Sequence, residues 1–458
     1  MTPSFVHPYI PNSSPDAKSA MLAATGAESV DDFFVDVPDA LRLRKVLELP
    51  SALVTEQELA EHVEGILSRN RPVRAGSSFL GAGTYRHYVP AVVDEIINRS
   101  EFLTAYAGEP YEDHGRFQAL FEFQSLMAEL LAMDVVTVPT YDGYQAAATA
   151  LSMAGRATGR RRVVVVSDIL PDKLSRVTDF VRLNLDLVMV PTANGTADCD
   201  AAAALIDEHT AAVWIETPSC TGALETQVAQ LAGQTHAFGG LLVVGVDPVG
   251  LGVLAPPAQF GADIVCGDIQ SLGLRAWFGG AHGGFIAVHD DPRLVMELPN
   301  RLFGLATTDV EGEYGFGDVA YERTSFAVRE EGKEWVGTAA ALWGIAAAVH
   351  LTLMGPQGMA ELGETLLSRT AYAMRVLSAI DGCAISDSAV HLREFVLDVK
   401  DSGVTTAHII DQLRRSGIEP GVAISDTQLL VCVTELNSQR DIDHLASEIA
   451  AAVGKDKA

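Results

Sequence analysis

The chain has 458 residues, 48% hydrophobic and 20% charged, with 60 acidic against 32 basic side chains and a formal net charge of -28. This composition belongs to a globular protein with a large buried core and excludes a disordered chain. The acidic balance argues against nucleic acid and anionic membranes as partners, because both require a basic footprint.

The five cysteines, Cys199, Cys220, Cys266, Cys383 and Cys432, form no CxxC or Cys/His cluster. Reduced thiols and no zinc site are expected. The opening MTPSFVHPYIPNSS lacks the basic and apolar regions of a signal peptide. The apolar runs fall short of the ~18 residues of a membrane span. A cytoplasmic protein is expected.

Residues 1–75 read as a helical N-terminal arm, with Thr55 and Glu58 at capping-box spacing. Gly81-Ala82-Gly83 looks like the start of a dinucleotide fingerprint, but position 86 holds Arg86 and no strand precedes it. A tight turn is the simpler reading. Residues 91–134 read as helix, loop and helix, and the loop is aromatic and acidic, with Tyr106, Glu109 and His114. The following helix has an apolar face that includes Leu120, Phe123, Met127 and Leu131.

From Tyr141 a regular alternation begins. Apolar runs at 163–166, 185–190, 211–215, 241–246 and 285–288 are separated by helical stretches, several of them amphipathic. Such β-branched runs predict an α/β fold whose large domain, residues 76–330, holds a mostly parallel sheet covered on both faces. Its ligand crevice is expected at the carboxyl ends of the strands, where Asp142, Asp168, Asp247 and Gln270 would project. Residues 331–458 read as a small C-terminal α+β domain, opening with a helix from about Val336 to Leu353.

Asp247 ends a buried apolar run, where a carboxylate must be paired or solvated. Two solutions stay open: a hydrogen bond to the ring nitrogen of a ligand, or a cap on the next turn. In pyridoxal-phosphate enzymes of the large α/β class, an aspartate in this place holds the pyridine nitrogen. A lysine at the end of the next strand then forms the Schiff base. Here that lysine's place is taken by Gln270, and no lysine lies between Lys173 and Lys333. An amide nitrogen is not a usable nucleophile. The glycine-rich run 279–284 would allow close backbone approach to a phosphate or another subunit, or simply form a turn. His282 and His114 are acid–base candidates by residue type.

The residues carry a family resemblance through most of the chain. It rests on Asp31-Asp32-Phe33-Phe34 to Val37-Pro38, Phe79-Leu80-Gly81-Ala82-Gly83-Thr84-Tyr85, and Arg99-Ser100-Glu101-Phe102-Leu103-Thr104-Ala105-Tyr106. Gln118 to Gln124, Tyr141-Asp142-Gly143 and Gln270-Ser271-Leu272-Gly273 extend it. The chain resembles the P-protein, the glycine dehydrogenase (decarboxylating) family of the glycine cleavage system, in its split form, and within it the first (alpha) subunit.

The resemblance implies a fold-type-I pyridoxal-phosphate transferase-like architecture. It also implies that the Schiff-base lysine and the pyridoxal phosphate belong to a partner beta subunit, with no cofactor bound covalently here. No residue of this chain is then catalytic. Asp247 becomes the vestigial cofactor contact, and Tyr106, Glu109, His114, Asp142, Ser271 and His282 are candidates for the interface or substrate channel. Glycine would be decarboxylated and its aminomethyl group passed to the lipoyl H-protein by an alpha–beta pair doubled into a heterotetramer.

Two segments depart from the family. A TPYQPEISQG-like stretch is replaced by residues 107–117, and an RREKATSNICTNQ-like stretch by residues 328–340, which include Trp335. Such changes in polar loops leave open a diverged subunit acting on another amino acid, or a non-catalytic scaffold or regulatory protein.

Overall fold

Short runs of valine and isoleucine, buried on both sides, set the centre of the molecule. The computed structural model describes residue 6 and residues 9–43, 45, 47–103, 114–319, 323–325, 330, 332–336 and 340–454. The chain forms two compact units, Met1–Pro72 and Val73–Ala458. The first contains helices α1 (Pro15–Thr25) and α2 (Glu56–Leu67). At the start of α2 the expected capping box is formed: Glu58 N donates to Thr55 Oγ1 at 3.1 Å, and Thr55 N to Glu58 Oε2 at 3.2 Å.

The second unit opens with α3 (Ala91–Ile97), α4 (His114–Leu131) and a two-residue strand β1 (Val135–Val136). Then α5 (Gly143–Thr158), β2 (Arg162–Val165), α6 (Pro171–Val181), β3 (Asp186–Met189) and β4 (Thr210–Thr217) follow. Next come α7 (Val228–His236), β5 (Leu241–Val246), β6 (Ile264–Asp268) and β7 (Gly284–Val288). The seven strands lie in the order β1-β7-β6-β5-β4-β2-β3. The sheet is parallel from β6 through β3, and β7 runs antiparallel to β6. A mostly parallel sheet was expected; the reversed strand was not, because an apolar run of four residues carries no sign of its direction.

Both faces are covered. Val243 packs with Ala146, Ala150 and Ala154 of α5 on one face, while Leu242 and Val244 pack with Phe123, Met127 and Leu131 of α4 on the other. Alternate side chains of one strand thus enter two cores, which explains the unbroken apolar run. The alanines of α5 allow its backbone to lie close against the sheet.

Beyond the sheet, one element was not anticipated and one expectation fails. Residues 303–307 and 314–318 form an antiparallel hairpin, β8 (Phe303–Thr307) and β9 (Tyr314–Asp318), whose glycines hid it from the sequence reading. The helix expected from Val336 begins instead at Ala341, because Val336 is tied to a distant segment, its N–H donating to Pro299 O at 2.9 Å and its carbonyl accepting from Asn300 Nδ2 at 3.1 Å. That helix, α8 (Ala341–Ser378), bends at Gly355-Pro356, where Gly355 has φ 59.

Four antiparallel strands, β10 (Ala384–Ile385), β11 (Glu394–Asp398), β12 (Val422–Ala423) and β13 (Gln428–Cys432), lie in the order β10-β11-β13-β12. Helices α9 (Thr406–Arg415) and α10 (Gln439–Gly454) complete this part. Among the described residues, no helix is long and apolar enough to cross a membrane.

The start of β11 abuts the loop after β4 very closely. A Cβ on Gly222, whose φ is +89, would sit 1.9 Å from the carbonyl oxygen of Glu394. Gly222→Ala is therefore expected to cost more than about 2 kcal/mol, seen as a lowered denaturation midpoint. An unchanged midpoint would show that this approach is not tight.

Candidate functional site

A cleft of about 300 Å³ opens at the carboxyl ends of the parallel strands. It is lined by Asp142, Asp168, Asp247 and Gln270, the four positions expected there, and also by Tyr85, Lys173, Glu216, Asp268, His282, Arg393 and Glu394.

Asp247 follows β5. Its Oδ1 accepts the N–H of Val249 at 3.1 Å and the hydroxyl of Ser271 at 3.4 Å, so it does cap the next turn. Its Oδ2 is held in a third way that the sequence did not suggest, an ion pair with Arg393 Nη2. The Arg393 side chain is 2% exposed, and its guanidinium lies 3.4 Å from the centroid of the Tyr85 ring. A planar cation stacked on an aromatic face and paired with a carboxylate is well satisfied in a buried place.

The network continues on both sides. Arg393 Nη1 donates to His87 Nε2, so His87 carries its proton on Nδ1, which donates to Glu435 Oε2 at 2.7 Å. The Tyr85 hydroxyl donates to Glu394 Oε2 at 2.8 Å, and Ala82 N donates to Glu394 Oε1 at 2.7 Å. Burial pushes the Glu394 carboxyl and the Tyr85 phenol up, since both charged forms lose hydration here.

Gln270 lies at the strand end where a lysine would form an imine. It is 1% exposed. Its Oε1 accepts from Tyr85 N at 2.9 Å, and its Nε2 donates to the carbonyls of Tyr85 and Leu274, both at 2.9 Å. The amide acts as a clamp between this turn and the loop that carries Tyr85.

The N-terminus of α5 is likewise engaged. Asp142 caps it by accepting from Gln145 N at 2.8 Å. Asp268 Oδ2 accepts from Gly143 N at 2.8 Å and Oδ1 from Gln270 N at 2.8 Å. A helix start of this kind attracts anions, and here the anion is the chain's own carboxylate. Asp268 also meets His282 Nδ1 at 3.1 Å, and that hydrogen bond raises the His282 imidazole above its ordinary value. The glycine run 279–284 serves this contact: a Cβ on Gly284 would lie 2.2 Å from Asp142 O. Its close approach is to the chain itself.

Lys173 is also buried in the cleft. Burial pulls its ammonium down, but the Glu216 carboxylate 2.9 Å away outweighs this and the net shift is upward. Glu216 is fixed from its other oxygen by Trp214 Nε1 at 2.9 Å.

The comparisons with known proteins agree with this architecture. A family model described as glycine cleavage system P-protein matches residues 7–449. The chain belongs to the glycine cleavage system P-protein family. It is 37% identical to the probable glycine dehydrogenase (decarboxylating) subunit 1 of Carboxydothermus hydrogenoformans, over 95% of this chain and 98% of that relative. The corresponding protein of Aeropyrum pernix is 36% identical, over 98% of this chain and 99% of the relative.

A crystal structure of glycine decarboxylase (P-protein) of the glycine cleavage system, in inhibitor-bound form, superposes with a TM-score of 0.84 at 30% identity. It covers 98% of this chain and 100% of that one. A sphingosine-1-phosphate lyase from Burkholderia pseudomallei, 15% identical with a TM-score of 0.63 over 91% of this chain and 94% of that one, shares the fold. The fold is thus the fold-type-I, transferase-like α/β fold.

Within this family, the cleft does not fit pyridoxal phosphate. The carboxylate suited to a ring nitrogen is paired with Arg393, the imine-forming position holds a clamped amide, and the helix start suited to a phosphate carries Asp268. Of the channel candidates, Asp142, Ser271 and His282 line the cleft. His114 is the first residue of α4, but its side chain, like Tyr106 and Glu109, lies outside the described residues, as does much of 328–340. The reading missed Tyr85, Glu216, Arg393 and Glu394, which come from distant segments and match no local pattern. Lys173 was noted only as the last lysine before a long gap.

Proposed function

We propose that this chain is the alpha subunit of a glycine decarboxylase complex working in the cytoplasm, the subunit that lacks the Schiff-base lysine. A beta subunit supplies the pyridoxal phosphate and its lysine, glycine is decarboxylated, and the aminomethyl group passes to a lipoyl H-protein. Membership of the P-protein family supports the overall reaction, as do relatives named as subunit 1. The observation that carries the division of labour is Gln270, buried and bonded through both ends of its amide at the strand end where the nucleophile is required. The covalent chemistry then belongs to the partner's site and not to the cleft of this chain.

Two measurements on the full chain test this. Purified alone and mixed with pyridoxal phosphate, it is expected to show no imine absorption band and no adduct trapped by borohydride. Carbon dioxide from carboxyl-labelled glycine is expected only when the lysine-bearing partner, the cofactor and a lipoyl carrier are present. A borohydride-stable adduct on the lone chain would overturn the reading of Gln270. Release from a different amino acid, with none from glycine, would replace the substrate.

A further inference from the structure

The cleft has no fit for pyridoxal phosphate, yet it remains an open cavity with charges of both signs. One wall is positive. Lys173 and Arg176, three residues apart on the same face of α6, both line it. Lys173 is 8% exposed, and among the described residues its one hydrogen bond goes to Glu216, so part of its three-donor capacity is unused. Arg176 makes no hydrogen bond or ion pair among the described residues. Its guanidinium rests 5.4 Å from the Tyr144 ring centroid, and its donor fork is available. At the start of α6, Leu170 provides no side-chain cap.

The rest of the charged lining is mostly acidic, with seven carboxylates against Arg393 and His282. Asp142 accepts a hydrogen bond from Gln145 N and Asp168 one from Thr192 Oγ1, while Asp268 is already met by Gly143 N, Gln270 N and His282 Nδ1. A carboxylate offers about four lone-pair positions, so each retains acceptor capacity toward the cavity. A phosphate dianion entering here would be repelled by these groups, and a simple amine would leave the Arg176 donor fork unpaired. A molecule with one carboxylate and one ammonium satisfies both sides at once. A volume of about 300 Å³ restricts it to a small one.

We propose that the cleft of this chain is a non-covalent binding site for a small zwitterionic amino acid. Its carboxylate pairs with Arg176 and Lys173, and its ammonium lies among Asp142, Asp168 and Asp268. No covalent step is involved, and the site is independent of the chemistry of any partner.

Calorimetric titration of the full chain, without its partner, tests this with glycine as probe. Acetate, methylammonium and inorganic phosphate are titrated in parallel at constant ionic strength. Saturable binding of one glycine per chain is expected, with acetate, methylammonium and phosphate each at least tenfold weaker. Arg176 is exposed and makes no hydrogen bond or ion pair among the described residues, so Arg176→Met should fold normally. This variant is expected to bind glycine about tenfold more weakly, because it loses a bidentate charged contact, while Arg176→Lys recovers part of the loss. Absence of saturable glycine binding would overturn the proposal. So would acetate or phosphate binding as tightly as glycine, or Arg176→Met binding like wild type.

Discussion

Replacing Arg393 with alanine is expected to cost the folded chain about 3–5 kcal/mol, the usual penalty for removing one member of a buried ion pair. The Arg393 side chain is 2% exposed, and it joins Asp247 of the sheet to Tyr85 and His87 of the loop before α3. Without it, the Asp247 carboxylate is left buried with only the Val249 N–H and the Ser271 hydroxyl, and Tyr85 loses the cation on its ring. Equilibrium unfolding in urea measures the loss. The double variant Arg393→Met with Asp247→Leu is expected to recover more than half of it, since neither apolar group then leaves a charge unpaired. A single variant within 1 kcal/mol of wild type, on the order of an exposed pair, would show that the network contributes little.

Acid is expected to weaken the chain through His350. Its side chain is buried on α8, neither ring nitrogen has a hydrogen-bond partner among the described residues, and burial, with a smaller repulsion from His87, lowers it to about 4. Glu435 acts weakly in the opposite direction. Below the ordinary value of 6.5 the unfolded chain takes up a proton here that the folded chain does not. Stability is therefore full above pH 6.5, falls as the pH drops toward 4, and levels off below that. The difference amounts to about 3 kcal/mol. Urea midpoints at pH 7.5 and 4.5 should separate the wild type from His350→Leu, which leaves the core apolar and removes the proton uptake. Equal acid sensitivity in the two proteins would exclude His350 as the cause.

His282 has the opposite sign. Its hydrogen bond to Asp268 raises it above 6.5, so its contribution is full below pH 6.5 and disappears as the pH rises through the raised value.

Much of the architecture was legible because it depends on local patterning. Apolar runs of four to six residues bounded by polar residues, glycine or proline identify buried strands, and alanine-rich stretches between them identify helices that must lie close to a sheet. The direction of β7 and the β8–β9 hairpin were not legible. Direction has no local signature, and glycine-rich strands lack the side chains by which strands are recognised. Val336 shows a related limit: it has a helical context in sequence, yet hydrogen bonds to Pro299 and Asn300 hold it out of the helix.

By itself the sequence determined that a carboxylate would end one central strand, at Asp247, and that no lysine would end the next, where Gln270 stands. It determined this because both facts depend only on residue identity at the ends of recognisable strands. What fills the positions of the missing cofactor was decided by tertiary structure alone. Arg393 reaches Asp247 across 146 positions of sequence (393 minus 247), Asp268 reaches Gly143 across 125, and Gln270 reaches Tyr85 across 185. Buried charges and amides must find partners wherever the fold brings them, and separation along the chain says nothing about that meeting.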